Sequence, residues 1–170
     1  MSRAVLSIGS NLGDRLARLT EVVAALRAEG AGVSVSPVYE TDPWGPVAQD
    51  DYLNAIVVAA VSGAYDWLGF LRKTEQAAGR VRDVRWGPRT LDVDVIQVID
   101  DAGLAVRSED PELTLPHPRS HQRGFVLVPW FAVEPDAVLA GHGSVRELVA
   151  ALPDDERAGV RRRDDLSLER

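Results

Sequence analysis

Residues 52–61, YLNAIVVAAV, are apolar at odd and even positions alike, with Asn54 as the one amide inside the run. Successive side chains of a strand point to opposite faces, so this stretch reads as a central strand covered on both sides. Upstream of it, residues 41–51 (TDPWGPVAQDD) are a loop by composition, and Val33 and Val35 alternate with serines in a strand reaching about Tyr39. Further back, Leu12, Leu16, Leu19, Val23 and Leu26 recur at spacings of 4, 3, 4 and 3, one face of a helix. Either Asn11 or Asp14 would cap it, and Gly30 and Gly32 end it. Val5, Leu6 and Ile8 run as a strand into the turn Gly9-Ser10-Asn11. Downstream, Ala64, Leu68, Leu71 and Ala78 mark a second helix closed by Gly79, 80–90 is a polar loop, and 91–99 (LDVDVIQVI) is a strand.

The resulting order, strand-helix-strand-strand-helix-strand, predicts an α+β fold with a ferredoxin-like βαββαβ core. Residues 100–150 add a further hairpin or strand and one or two short helices, with apolar pieces at Leu127–Phe131 and Val145–Leu152. The two-sided strand 52–61 predicts that these additional strands and helices cover the second face of the sheet. From Pro153 the chain is charged, which predicts a single domain over 1–152 followed by a solvated polar tail over 153–170.

The 170 residues sum to a net charge of −7, with no cysteine and a single lysine, Lys73. Zero cysteines exclude a disulfide scaffold, a thiolate metal site and a cysteine nucleophile. The acidic balance argues against a general binder of nucleic acid or anionic membrane. Lys73 follows Gly69-Phe-Leu-Arg, which is not a P-loop. The longest apolar run is far below the roughly 18–20 residues of a membrane helix, and the N-terminus lacks a signal-peptide pattern, so a cytoplasmic location is expected.

Asp92 and Asp94 lie at i and i+2 on the last core strand, on one face and with Cα atoms roughly 6.5–7 Å apart. Leu91, Val93 and Val95 take the opposite, core-facing side. Neighbouring carboxylates on a half-buried strand repel, and a divalent cation relieves the conflict. Carboxylates without His or Cys favour hard ions, above all Mg²⁺ with substrate phosphates. A bare D-x-D more often marks a solvated strand end. Here the preceding stretch 72–90 holds six cations against two acids, among them Arg80, Arg82, Arg85 and Arg89. Guanidinium forks bind phosphate oxygens bidentately, so arginines opposite a carboxylate pair suit phosphoryl transfer.

Other positions leave two readings open. Glu75, on the apolar stripe of helix two, either holds an arginine or a ribose hydroxyl or simply emerges into solvent. Asn54 needs hydrogen-bond partners, either the edge of a heterocycle or loop backbone. Tyr52 and Phe125 either stack on a flat ligand or pack in the core. His117 and His121 stand at i and i+4, but prolines at 116 and 118 argue against the helix that a zinc pair would need.

RWGPRTLDVD at 85–94 closely resembles the signature of the 6-hydroxymethyl-7,8-dihydropterin pyrophosphokinase family. LSIGSN (6–11), YETDPWG (39–45), DYLNA (51–55), EQAAGRVR (75–82) and LPHPRSHQRGF (115–125) follow in the family's order, and the likeness spans residue 4 to about 135. The resemblance implies the same ferredoxin-like core and transfer of pyrophosphate from ATP to the pterin's hydroxymethyl oxygen, which attacks the β-phosphorus and releases AMP. It implies two Mg²⁺ ions on Asp92 and Asp94, with Arg80 and Arg89 acting on the phosphates. It places Thr41, Pro43, Trp44, Tyr52, Asn54, Arg123 and Phe125 at the pterin, and Arg72, Glu75, Arg82, Trp86, Arg89, Val95, Thr114 and His117 at ATP. It further implies mobile loops at 41–51 and 80–90 that close on substrates; a monomer without nucleic-acid or membrane partners is expected. The chain departs from relatives in a loop 80–90 one residue shorter, in Asp83 where a lysine can occur, and in Pro118 where an aromatic is common.

An RNA-recognition domain shares the element order but needs aromatics on its central strands and a basic sheet, and strand 4–9 has no aromatic. A nucleotidyltransferase pairs a Gly-Ser turn with a nearby D-x-D, whereas Ser10 and Asp92 are far apart in this chain. A regulatory ferredoxin-like domain leaves the arginine loop unexplained.

Overall fold

The computed structural model describes residues 1–43, 45–78 and 91–169. In chain order these form β1 (Ser2–Ser10), α1 (Arg15–Ala28), β2 (Gly32–Val35), β3 (Tyr39–Thr41), β4 (Tyr52–Val61), α2 (Trp67–Ala77) and β5 (Asp92–Ile99). Beyond the core come β6 (Ser108–Asp110), β7 (Leu113–Leu115), a 3₁₀ turn (Ser120–Gln122), α3 (Gly124–Val133), β8 (Val138–Leu139), β9 (Gly143–Ser144), α4 (Val145–Ala151), α5 (Asp154–Ala158) and β10 (Val160–Arg162).

The main sheet is antiparallel and ordered β10-β3-β4-β1-β5, with β2 also on β4. Without β10 this is the strand order of the expected ferredoxin-like core. β4 lies inside the sheet, as its two-sided apolar pattern requires. Val57 and Ala59 of β4 pack with Leu19, Val22, Val23 and Leu26 of α1 and Phe70 of α2. Ile56 and Val58 face the other way, onto Val126, Leu127 and Trp130 of α3 with Val145 and Leu152. The second face is therefore covered by the added helices, as the strand composition predicted. Fully burying each such side chain stabilises by about 1.5–3 kcal/mol.

Local chemistry sets the element ends. Asp14 caps α1 by accepting from Ala17 N at 3.1 Å, and Asp66 caps α2 by accepting from Gly69 N at 2.9 Å. Both helices thus start about three residues later than their apolar spacing implied. Leu12 lies outside α1 and is 49% exposed, and Ala64 precedes α2. The strand expected over 33–39 is two strands. Pro37 lacks an N–H, and Ser36 bridges the gap: its N–H donates to Ile56 O at 2.9 Å and its Oγ accepts from Ile56 N at 2.8 Å. The predicted closure of helix two at Gly79 and the loop 80–90 lie outside the described residues.

The expected solvated tail is not one over its described part, 153–169. β10 adds a strand to the sheet edge, pairing Val160 with Thr41, Arg161 with Glu40 and Arg162 with Tyr39. Arg163 N donates to Val38 O at 2.8 Å. Leu168 is 3% exposed and joins the core on the α1 and α2 side. Charge conceals this segment: its arginines find acidic partners, and only Leu168, with half-buried Leu166, packs on the core.

Candidate active site

Directly opposed residues of an antiparallel pair share a face. Gly9 of β1 opposes Asn54 of β4 on one side and Asp92 of β5 on the other. Ser7 opposes Ile56 and Asp94 in the same way. Asn54, Gly9 and Asp92 therefore form a row across the face that α3 covers, with Asp94 one step along. Two strand spacings separate Asn54 from Asp92, about 10 Å. Val93 and Val95, each 3% exposed, take the opposite face, as the alternation predicted. Glycine at position 9 lets the Asn54 amide lie against the β1 backbone: a Cβ there would stand 2.4 Å from Asn54 Oδ1.

On the amide side, Tyr52 opposes Thr41. Asn54 is buried and its Nδ2 donates to Thr41 Oγ1 at 2.5 Å, so the amide has a side-chain partner rather than loop backbone. A cavity of about 440 Å³ joins Thr41 and Pro43 to Phe125, with Glu156, Gly159 and Val160 completing its wall. Those last three were missed from sequence. The signal for them was weak, a Gly-Val step inside a charged run.

On the carboxylate side, a cavity of about 160 Å³ is lined by Leu71, Asp94, Val95, Thr114, His117 and Pro118, among others. Three residues expected at ATP, Val95, Thr114 and His117, thus meet beside Asp94. Arg72 pairs with Glu112, Nε to Oε2 at 3.0 Å, both exposed, on the rim where Glu112 also lines the cavity. Glu75 is half-buried, flanking the buried side of α2, which carries Trp67, Phe70, Leu71 and Thr74 rather than the stripe inferred from spacing. Trp44, Arg80, Arg82, Trp86 and Arg89 lie outside the described residues.

The start of α3 touches residues of both cavities. Arg123 precedes its first turn, with Nη1 3.9 Å from Asp94 Oδ2 and its guanidinium 5.5 Å from the Phe125 ring centroid. Burial pushes the Arg123 guanidinium down, and Asp94 opposes that shift. His117 is held by its N–H donating to Ile96 O at 2.8 Å. Burial first, then Arg123 and Arg119, lower its pKa to about 4, so the ring is neutral near pH 7. Its Nδ1 accepts from Arg119 N at 3.3 Å, which assigns the ring proton to Nε2. His121 stacks on His142, with centroids 4.0 Å apart.

Asn11, weighed above as a helix cap, has another task. Its Nδ2 donates to Gln49 Oε1 and Asp50 O, both at 2.8 Å, and Arg15 Nη1 donates to Asp51 O at 3.0 Å. The turn after β1 thereby holds the far end of the loop that follows β3.

The family model and the named relatives place the chain among ATP-dependent transferases. The family model for 7,8-dihydro-6-hydroxymethylpterin-pyrophosphokinase (HPPK) matches residues 5–135, and the chain belongs to that family. It is 51% identical over 171 residues to the 2-amino-4-hydroxy-6-hydroxymethyldihydropteridine pyrophosphokinase of Mycobacterium leprae, covering 95% of this chain and 88% of the relative. Its identity to the same-named protein of Mycobacterium tuberculosis is 47% over 173 residues, covering 95% and 89%. Among solved structures, wild-type Plasmodium falciparum HPPK-DHPS superposes with a TM-score of 0.60 at 14% identity, over 88% of this chain and 43% of that one. The chain thus spans less than half the length of that structural neighbour, and the likeness bears on the fold alone.

Proposed function

We propose that Asp92 and Asp94 are the catalytic and metal-holding centre of this chain, set between a pterin pocket at Thr41, Pro43, Tyr52, Asn54 and Phe125 and an ATP pocket at Val95, Thr114 and His117. The reaction is that of the family: pyrophosphate passes from ATP to the hydroxymethyl group of 6-hydroxymethyl-7,8-dihydropterin, a step in folate biosynthesis. The observation that carries the assignment is the place of Asp94. It lines the nucleotide-side cavity and faces Arg123, whose guanidinium reaches the Phe125 ring on the pterin side.

The donor set fits Mg²⁺: two carboxylates on one face of β5, hard oxygen donors of the kind that this ion shares with substrate phosphates. Two such ions, held by Asp92 and Asp94, would supply neutralisation of the phosphate charge. Asn54, held by Thr41, orients the pterin edge, and Tyr52 and Phe125 supply ring contacts. Arg123 adds positive charge beside Asp94 where negative charge develops. Neutral His117 offers its Nε2–H as a donor. Arg80 and Arg89 act on the phosphates, with Arg72, Glu75, Arg82 and Trp86 at the nucleotide and Trp44 at the pterin.

The chain works as a cytoplasmic monomer in this reading. Both sheet faces are covered by its own helices, and no described helix is long and apolar enough to cross a membrane. The test is AMP release from ATP and Mg²⁺ with and without the pterin. AMP forms only with pterin present, and Asp94→Ala abolishes it in a folded protein. Pterin-independent hydrolysis, or full activity of Asp94→Ala, overturns the proposal.

A further inference from the structure

We infer that Arg161 is a positioning residue for the pterin pocket: from the added strand β10 it bridges the two carboxylates at the neck of the loop between β3 and β4. This rests on the pocket assignment above and deepens it.

The β3–β4 ladder ends at the pair Thr41 and Tyr52, which share a face, and Thr41 lines the cavity. One step further the chain places Asp42 and Asp51 on either side of the loop's neck. Like charges at facing positions push a ladder apart. Arg161 lies between them, with Nη1 2.9 Å from Asp42 Oδ1 and Nη2 2.9 Å from Asp51 Oδ2. A planar guanidinium with donors on both prongs suits this bridge, and a point charge does not.

The two ends of the loop are held differently. The far end is tied by Asn11 and Arg15, which bond Gln49, Asp50 and Asp51. At the near end, the C-terminal segment holds Asp42, through Arg161 and through Asp42 N donating to Gly159 O at 3.2 Å. Thr41, which fixes Asn54, and Pro43, which lines the cavity, flank Asp42 directly. An exposed ion pair adds little to global stability. Its effect is local, on where Thr41 and Pro43 stand.

The experiment is a cycle read in steady-state kinetics: the wild-type chain, Arg161→Ala, the Asp42→Asn/Asp51→Asn variant, and that variant carrying Arg161→Ala. Arg161→Ala raises the KM for the pterin about three- to fivefold, the scale of a cross-strand charge conflict. The KM for ATP and the unfolding midpoint stay close to wild type. In the neutralised background the same substitution has little effect on the pterin KM, because no repulsion remains to relieve. An unchanged pterin KM in Arg161→Ala, or an equal shift in both backgrounds, overturns the inference while wild-type turnover leaves the pocket assignment standing. Absence of pterin-dependent AMP release from the wild-type chain removes both.

Discussion

Glu156 Oε1 accepts a hydrogen bond from the backbone N–H of Gly124 at 2.8 Å, although 32 residues separate them. Gly124 opens α3, and neither it nor Arg123 supplies a side-chain cap. Glu156 is therefore the acceptor for the start of the helix that carries Phe125, and its charge suits the positive end of the helix dipole. Glu156→Ala should cost about 1 kcal/mol, a fall in Tm of roughly 2–4 °C for a chain of this size. Glu156→Gln, which keeps an acceptor, should lose less. Calorimetry on the two variants checks the order.

Gly9→Ala should leave the protein folded and damage pterin binding. The new methyl would meet Asn54 Oδ1 at 2.4 Å and the Tyr52 ring at 3.4 Å, so the amide must swing away from Thr41. Overpacking of this kind costs about 1–3 kcal/mol. A pterin KM raised about tenfold or more, with the KM for ATP nearly constant, is the expected outcome. Equal damage to both would place Gly9 elsewhere in the mechanism.

The pH dependence of stability should carry the signature of His117. Its folded pKa, lowered to about 4, lies below the ordinary value of 6.5. Between those two values the unfolded chain binds a proton that the folded chain does not, so stability falls as pH drops from 6.5 to 4 and levels off below. The loss attributable to this group is a few kcal/mol at most. Urea unfolding of wild type and His117→Asn across that window should show a shallower decline in the variant. Parallel curves would assign the decline to other groups.

Trp130→Ala tests whether the second helical layer supports the site. Trp130 is fully buried against Ile56 and Val58, and its Nε1 donates to Glu134 Oε1 at 3.0 Å. Truncation should cost about 3–5 kcal/mol. Because Arg123 and Phe125 stand at the start of the same helix, kcat/KM should fall even under conditions where the variant remains folded. A destabilised variant with wild-type kcat/KM would separate the layer from the site.

The paired carboxylates were legible because a strand has a period of two, which alone puts Asp92 and Asp94 on one face. The two-sided composition of 52–61 likewise implied the helical layer beyond the sheet. Other features depended on partners distant in sequence. Asn11 and Asp14 are both good caps on paper, and only the approach of Gln49 and Asp50 gives Asn11 its different role. Val160-Arg161-Arg162 shows no apolar alternation, so its pairing with Tyr39, Glu40 and Thr41 was hidden in a run of charge. The break at Pro37 was visible as a proline, but not the repair of the ladder by Ser36.

The pairing of β10 with β3 also has a temporal side. About 120 residues lie between Thr41 and Val160, which at roughly 5–20 residues per second is some 6–24 seconds of synthesis. Through that interval the outer edge of β3 has no neighbour and the cavity beside Thr41 lacks its wall of Glu156, Gly159 and Val160. A nascent chain can thus assemble its carboxylate strand well before the cavity proposed for the pterin. The cavity beside Thr41 is closed only once the segment bearing β10 has paired with β3.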